Sequence, residues 1–272
     1  MAGLSLSAGL GLVRLRNRGG PRYDTSAKAI FTFWEANGAP PWGSVKALVN
    51  ETVVAFKDFG LWGEPYLLGF TAATNLIHAL TDSKNPEASK VFSLINSPAY
   101  TDRYGITGNG TNSKLGTWLY PATNGVRWTV NDAGVWSYSD TDLATSVPDA
   151  GAGETYAAYC IPRSAANQMG GLLNRVSGAP IAAAIASSAG LTGIQRIDAN
   201  TERLWKDDAL QATSTIAAAG YPTGQFQICG RSPSASSTRR VGFAMAGASC
   251  LDREAALNSI VMDYITRIRT VS

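Results

Sequence analysis

Gly193-Ile194-Gln195-Arg196-Ile197, Arg203-Leu204-Trp205-Lys206, Gln225-Phe226-Gln227-Ile228-Cys229 and Val241-Gly242-Phe243-Ala244-Met245 follow one another within residues 190–268. Each run is rich in β-branched, aromatic or long apolar residues. They are parted by Asn200, Asp207-Asp208, Gly220-Tyr221-Pro222 and Ser232-Pro233-Ser234, which are turn formers. Short strands at near-regular spacing favour a sandwich or a barrel. After Gly247 the period changes: Leu257, Ile260, Val261, Tyr264, Ile265 and Ile268 fall on one helical face. Asp252 is a candidate N-cap, Glu254 suits the first turn, and Arg267 and Arg269 suit the last, where the helix dipole favours positive charge. The region reads as the back half of a β-sandwich closed by one helix, and it carries no reactive motif.

The same punctuation extends upstream to about Ala73. Runs at 75–78, 91–95, 114–119, 126–130, 134–138, 156–161 and 181–185 are separated by turn clusters at Asn109-Gly110, Thr123-Asn124-Gly125, 149–153 and 177–180. With the later runs, about a dozen strands fit two packed antiparallel sheets. The alanines at 182–184 read as strand rather than helix because Gly178 and Pro180 stand just before them.

Residues 24–72 read differently, as a helical hairpin with a linker. Asp24 or Thr25 caps a helix whose Ala27, Ile30, Phe31 and Trp34 share a face, ending near Asn37-Gly38 and Pro40-Pro41. Ser44 caps a second, with Val45, Leu48, Val49, Val53 and Phe56 on its apolar face and Gly60 as terminator. Two helices alone bury too little to be stable, so they pack on the sandwich or on another subunit. Residues 1–23 form an arm in which Leu4, Leu6, Leu10 and Leu12 partly alternate with small or polar residues, and Arg14, Arg16, Arg18 and Arg22 make the one local basic cluster. Such a strand needs a sheet edge from elsewhere, for instance a neighbouring subunit; a disordered terminus is the other reading. The expected organisation is therefore an arm at 1–23, hairpin and linker at 24–72, and sandwich with closing helix at 73–272.

Three motifs make the chain resemble the concanavalin A-like, laminin-G-like jelly rolls, above all those carried by tailed bacteriophages and prophages. Gly105-Ile106-Thr107-Gly108-Asn109-Gly110-Thr111-Asn112-Ser113-Lys114-Leu115 resembles the glycine-rich turn and strand that opens such folds. Arg203-Leu204-Trp205-Lys206-Asp207-Asp208 resembles their strand, turn, strand unit, with Asp208 where a turn glycine is usual. Lys57-Asp58-Phe59-Gly60-Leu61-Trp62 resembles the end of the helical preface in the phage variety. The resemblance implies a virion structural protein, decorating a capsid or associated with a tail. Its partners would be other virion proteins and further copies of itself, a trimer by analogy with decoration and fibre proteins.

Composition agrees with a loop-rich β protein. Charged residues are 16% of 272, and the net charge of +3 comes without a long Lys/Arg stripe, which gives no basis for nucleic-acid binding. No apolar run reaches the length of a membrane span. The first twenty residues place their apolar part before the arginines, the reverse of a secretory signal, so synthesis in the host cytoplasm without export is expected. Cys160, Cys229 and Cys250 cannot all pair within one chain and lack metal-type spacing; buried thiols and a single disulfide both remain open.

Catalytic groups are scarce. The one histidine, His78, sits in an apolar stretch, and no Gly-x-Ser-x-Gly elbow presents a nucleophile to it. Jelly-roll glycosidases set paired carboxylates on one strand face, as Glu-x-Asp-x-x-Glu. The glutamates of this chain, from Glu35 to Glu254, never fall in that pattern, and the nearest cluster, Asp198 with Glu202, lies at a turn. Asp132, Asp140 and Asp142 read as turn aspartates rather than calcium ligands. Neither enzyme nor cofactor is expected. Binding has better support: Trp118, Trp128, Trp136 and Tyr138, with Tyr120 nearby, are candidates for stacking on a sugar, the alternative being that they face the core. The two functional expectations are a virion structural role and, as alternative, a carbohydrate-binding module used in adsorption to a host-surface glycan.

Overall fold

The computed structural model describes residues 22–176, 178–232 and 236–272; the arm residues Leu4, Leu6, Leu10, Leu12, Arg14, Arg16 and Arg18 lie outside them. The chain begins with α1 (Thr25–Ala36) and α2 (Gly43–Asp58), then β1 (Pro65–Gly69), a short α3 (Leu76–Ala79), β2 (Ser93–Ile95), β3 (Ala99–Thr101), β4 (Gly105–Thr107) and β5 (Lys114–Gly116). It continues with α4 (Pro121–Asn124), β6 (Ala133–Ser139), β7 (Ala150–Ala152), β8 (Tyr156–Ile161), β9 (Gln168–Val176), β10 (Ile181–Ala184) and β11 (Gly190–Arg196). The rest is β12 (Glu202–Lys206), β13 (Ala209–Ser214), β14 (Gln227–Ile228), β15 (Arg240–Gly247) and α5 (Glu254–Ile268).

Two antiparallel sheets result. One runs β13-β12-β11-β6-β15-β4-β3 with β1 also on β15; the other runs β10-β9-β8-β7-β14-β5-β2. This is the jelly-roll sandwich with a helical hairpin before it and a helix after it. Val135, Ile194, Leu204, Val241 and Ala244 of the first sheet meet Leu115, Ala158, Leu173 and Ile228 of the second. On its opposite face Trp136, Tyr138, Leu191, Phe243 and Met245 meet the apolar stripes of α1, α2 and α5. The first sheet is thus buried on both sides, so β15 reads as a near-continuous apolar run rather than an alternating one. β1 shows the same division in adjacent residues: Leu67 faces the second sheet and Leu68 the helices.

Local rules set the helix ends. Asp24 accepts from the Ser26 N–H at 2.8 Å and from Lys57 Nζ at 2.7 Å, which fixes α1 and ties it to α2. Gly38 and Gly60 stop the two helices at φ +73° and +68°, the left-handed region glycine enters without strain. The caps expected at Ser44 and Asp252 are displaced: Trp42 and Arg253 hold those positions, Ser44 Oγ donates to Ser272 O, and Asp252 lies one residue early at φ +63°.

The resembling motifs have clear structural roles. Residues 105–115 carry the chain from one sheet to the other, and Asn109 Oδ1 accepts from the backbone of Thr111, Asn112 and Ser113, folding the turn around a single side chain. Arg203 to Asp208 form β12 and its turn into β13, with Asp207 at φ +55° taking the conformation a glycine would otherwise supply. Residues 57–62 end α2 and lead into β1. β1 falls in the stretch expected to link hairpin and sandwich, so the linker is itself part of the sheet.

Two expected strands are absent. At 75–78 the Asn75 side chain accepts from the Ile77 N–H at 2.7 Å, and the resulting cap winds the segment into α3. At 126–130 no partner strand is present; Trp128 alone plugs the end of the core while Val126 stays 76% exposed. Conversely, 149–153, expected as a turn, holds β7. A Cβ on its Gly151 would lie 2.5 Å from that of Tyr159 and 2.5 Å from the Ala158 carbonyl oxygen, so small residues here fit a close approach by the backbone of β8. All three cysteines are free and buried.

Candidate functional site

The aromatic residues proposed to stack on a sugar do not form a platform. Trp136 is wholly enclosed under the helices, against Gly193, and Tyr138 is buried in the same layer. Trp128 is 2% exposed and belongs to the core between the sheets. Trp118 is half-buried: its Nε1–H donates to Asp82 at 2.8 Å, Lys90 Nζ lies 4.6 Å from its ring centre, and Tyr66 meets it edge-on. For Trp128, Trp136 and Tyr138 the stacking assignment is corrected. For Trp136 and Tyr138 the alternation along β6 reflects burial on both sheet faces, not presentation to solvent.

An open concavity lies elsewhere, at one end of the sandwich. About 230 Å³ is enclosed by Pro121, Ala122, Thr123, Asn124, Gly125 and Val126, with Trp128 and Tyr221. α4 builds its rim. Pro121 suits the first helical position because its missing N–H needs no partner there. Asn124 closes the turn, accepting from the Tyr120 N–H at 2.8 Å and donating to Trp118 O at 2.9 Å. The Ala122 N–H reaches Pro222 O at 3.2 Å, joining the rim to the loop that carries Tyr221.

One residue holds both walls. Asn174, bulged out of β9 at φ +58°, accepts at Oδ1 from Trp128 Nε1 at 2.8 Å. Its Nδ2 donates to Thr129 O and Val130 O at 2.8 and 3.0 Å. Its carbonyl accepts from the Ala219 and Gly220 amides at 2.7 and 3.1 Å. Asn174 thereby ties the Trp128 side of the cleft to the segment that leads into Tyr221. Neither β9 nor Asn174 was anticipated; the only trace in the sequence is an asparagine set among the apolar residues that follow Gly170-Gly171.

Among the described residues the cleft lining contains no carboxylate, histidine, cysteine, lysine or arginine. The buried carboxylates of the described residues have other tasks. Asp149 binds Arg239 Nε at 2.8 Å and Ser237, Glu202 binds Arg196 at 2.8 Å and the Leu173 N–H, and Glu254 accepts from Gln195. Asp82 accepts from two amides, Asn85 and Trp118, yet burial outweighs these donors and pushes its carboxyl above the ordinary range. His78 stacks on Trp34 at 3.8 Å with Nε2 2.7 Å from Ala39 O, and burial pulls its pKa down. It lines only a void of about 10 Å³, the lower limit for one water. Asp132, Asp140 and Asp142 bind Ser249 N–H, Arg240 with Arg269, and Arg163 with Ser188 respectively. Among the described residues no three His, Cys, Asp or Glu gather as metal ligands, and no helix is long and apolar enough to cross a membrane.

With the sandwich and its end cleft established, the chain falls in the class of two-sheet antiparallel jelly rolls, and solved structures share that architecture. A mutant of Trypanosoma rangeli sialidase displaying trans-sialidase activity superposes with a TM-score of 0.52 at 11% identity, over 80% of this chain and 39% of the sialidase. A point mutant of HCR/D gives 0.51 at 9% identity, over 74% of this chain and 52% of its own. Domain 4 of AbnA, a GH43 extracellular arabinanase from Geobacillus stearothermophilus, in complex with arabinotriose, gives 0.48 at 12%, over 71% and 98%. At such identities the likeness concerns fold alone, and the chain spans well under two thirds of the sialidase and of HCR/D. No protein-family model and no curated protein matches the sequence.

Proposed function

We propose that the protein is a non-enzymatic binding and display module of the virion type, anchored through residues 1–23 and offering its sandwich end to a ligand. The observation that carries this reading is the division of labour just described. The open cleft holds no pair able to move a proton or attack a bond, while the buried carboxylates are committed to internal ties. General acid–base or nucleophilic work needs such groups within reach of substrate. The tailed-phage setting rests on the resemblance of the 57–62, 105–115 and 203–208 motifs. Mass spectrometry of purified particles, fractionated into heads and tails, tests it: the protein is expected in one fraction, and absence from both overturns the virion role.

A carbohydrate is the second reading, favoured by the cleft itself. A shallow recess that combines the Tyr221 ring with the Thr123 hydroxyl suits a polyol, whose C–H face packs on an aromatic while its hydroxyls bond at the rim. Glycan-array binding by the full chain, repeated with Tyr221→Ala, tests this. Retention reduced about two- to tenfold by the substitution supports it, since one good stacking contact is worth roughly 0.5–1.5 kcal/mol. Binding that ignores Tyr221 sinks the cleft assignment.

A further inference from the structure

β13 has no strand beyond it. It ends the helix-backed sheet and, at 6 residues, is longer than the other outermost strands β2, β3 and β10. Sheet edges in folded proteins are ordinarily shielded by charge, proline or cover, because unpaired N–H and C=O groups template further pairing. Residues 209–220 contain no charge and no proline, and Leu210 stands 47% exposed beside Trp205. Among the described residues only β12 pairs with this strand.

The chain itself contains a segment of matching chemistry. Over residues 4–12 every even position is Leu or Ala and every odd one Ser or Gly, a strict period of two, and Arg14, Arg16 and Arg18 follow. We infer that residues 4–12 of this polypeptide add to β13 as an antiparallel strand, their leucines covering Leu210; the inference rests on the anchoring role given to residues 1–23. Charge selects the direction. Running antiparallel, the arm leaves β13 beside Ala209, where Asp207 and Asp208 form the turn and Asp208 has no salt bridge among the described residues. Running parallel, its arginines would arrive at the other end, where Arg203 lies opposite Thr213. Main-chain bonds supply the affinity and alternate side chains the register.

Amide hydrogen exchange on the full chain tests this, with Leu6→Pro/Leu10→Pro as the disrupting variant and β6 as internal control. The expected result is protected β13 amides that exchange about tenfold faster or more in the variant while β6 is unchanged. A second variant pair, Ser7→Cys with Gln211→Cys, is expected to cross-link on oxidation; a product of one chain or of two equally seats the arm on β13. Equal β13 exchange in both proteins, with no cross-link, overturns the inference. If the proline variant also drops out of particles in that case, the arm is an anchor with a different seat, and the anchoring role stands.

Discussion

Gly193 and Trp136 pair across β11 and β6, and the indole lies flat over the glycine. A Cβ there would sit 2.0 Å from the ring, which is fully enclosed and cannot yield. Gly193→Ala is expected to destabilise the protein by about 1–3 kcal/mol, the usual cost of overpacking, as a lower urea midpoint at unchanged slope. His78 makes a second residue-level test. Burial depresses its folded pKa below the usual 6.5, so the unfolded chain takes up the proton first as pH falls. Its contribution to stability is complete above pH 6.5 and is lost as pH drops toward the folded value. His78→Gln should flatten that acid limb; an unchanged pH–stability profile would show that the imidazole charges freely in the fold.

Among elements, the most informative is the loop at 141–149, gathered by Arg239 along its length and by Ser188 at its start. Arg239, fully buried, binds Asp149 and donates to the carbonyls of Leu143, Thr145 and Arg163 at 3.0–3.1 Å, and to Val147 as well. Arg239→Leu strands a buried carboxylate and is expected to cost about 3–5 kcal/mol, with Arg239→Leu/Asp149→Leu recovering part of it, both read from chemical denaturation. This tie was illegible in the sequence because its members are 90 residues apart. The helices were legible, since α1, α2 and α5 each turn one apolar stripe to one sheet and the 3.6-residue period survives intact. β8 was legible through its β-prone aromatic residues. β7 and β9 were not: Gly151 and Gly170-Gly171 make room for neighbouring chains, and in sequence this looks the same as a turn. The cleft was hidden for a related reason, as its walls come from two segments far apart in sequence, tied together through Asn174 and through the Ala122–Pro222 bond. Trp136 misled because a sheet covered on both faces gives alternation no solvent side.

For the molecule as a whole, the two cores share a sheet and should melt together. Cys250 sits in the helix-facing layer, Cys160 and Cys229 between the sheets. Burial raises all three thiols, Cys160 to about 12, so none reacts while folded. Mass-resolved thiol labelling in mild denaturant is expected to modify the three at one common rate; early labelling of Cys250 alone would mean the helices peel off independently. The helical roof carries a further implication. With α1, α2 and α5 thatching one broad side, the pleats beneath them are closed to any neighbour, so whatever meets that flank touches helix rather than strand.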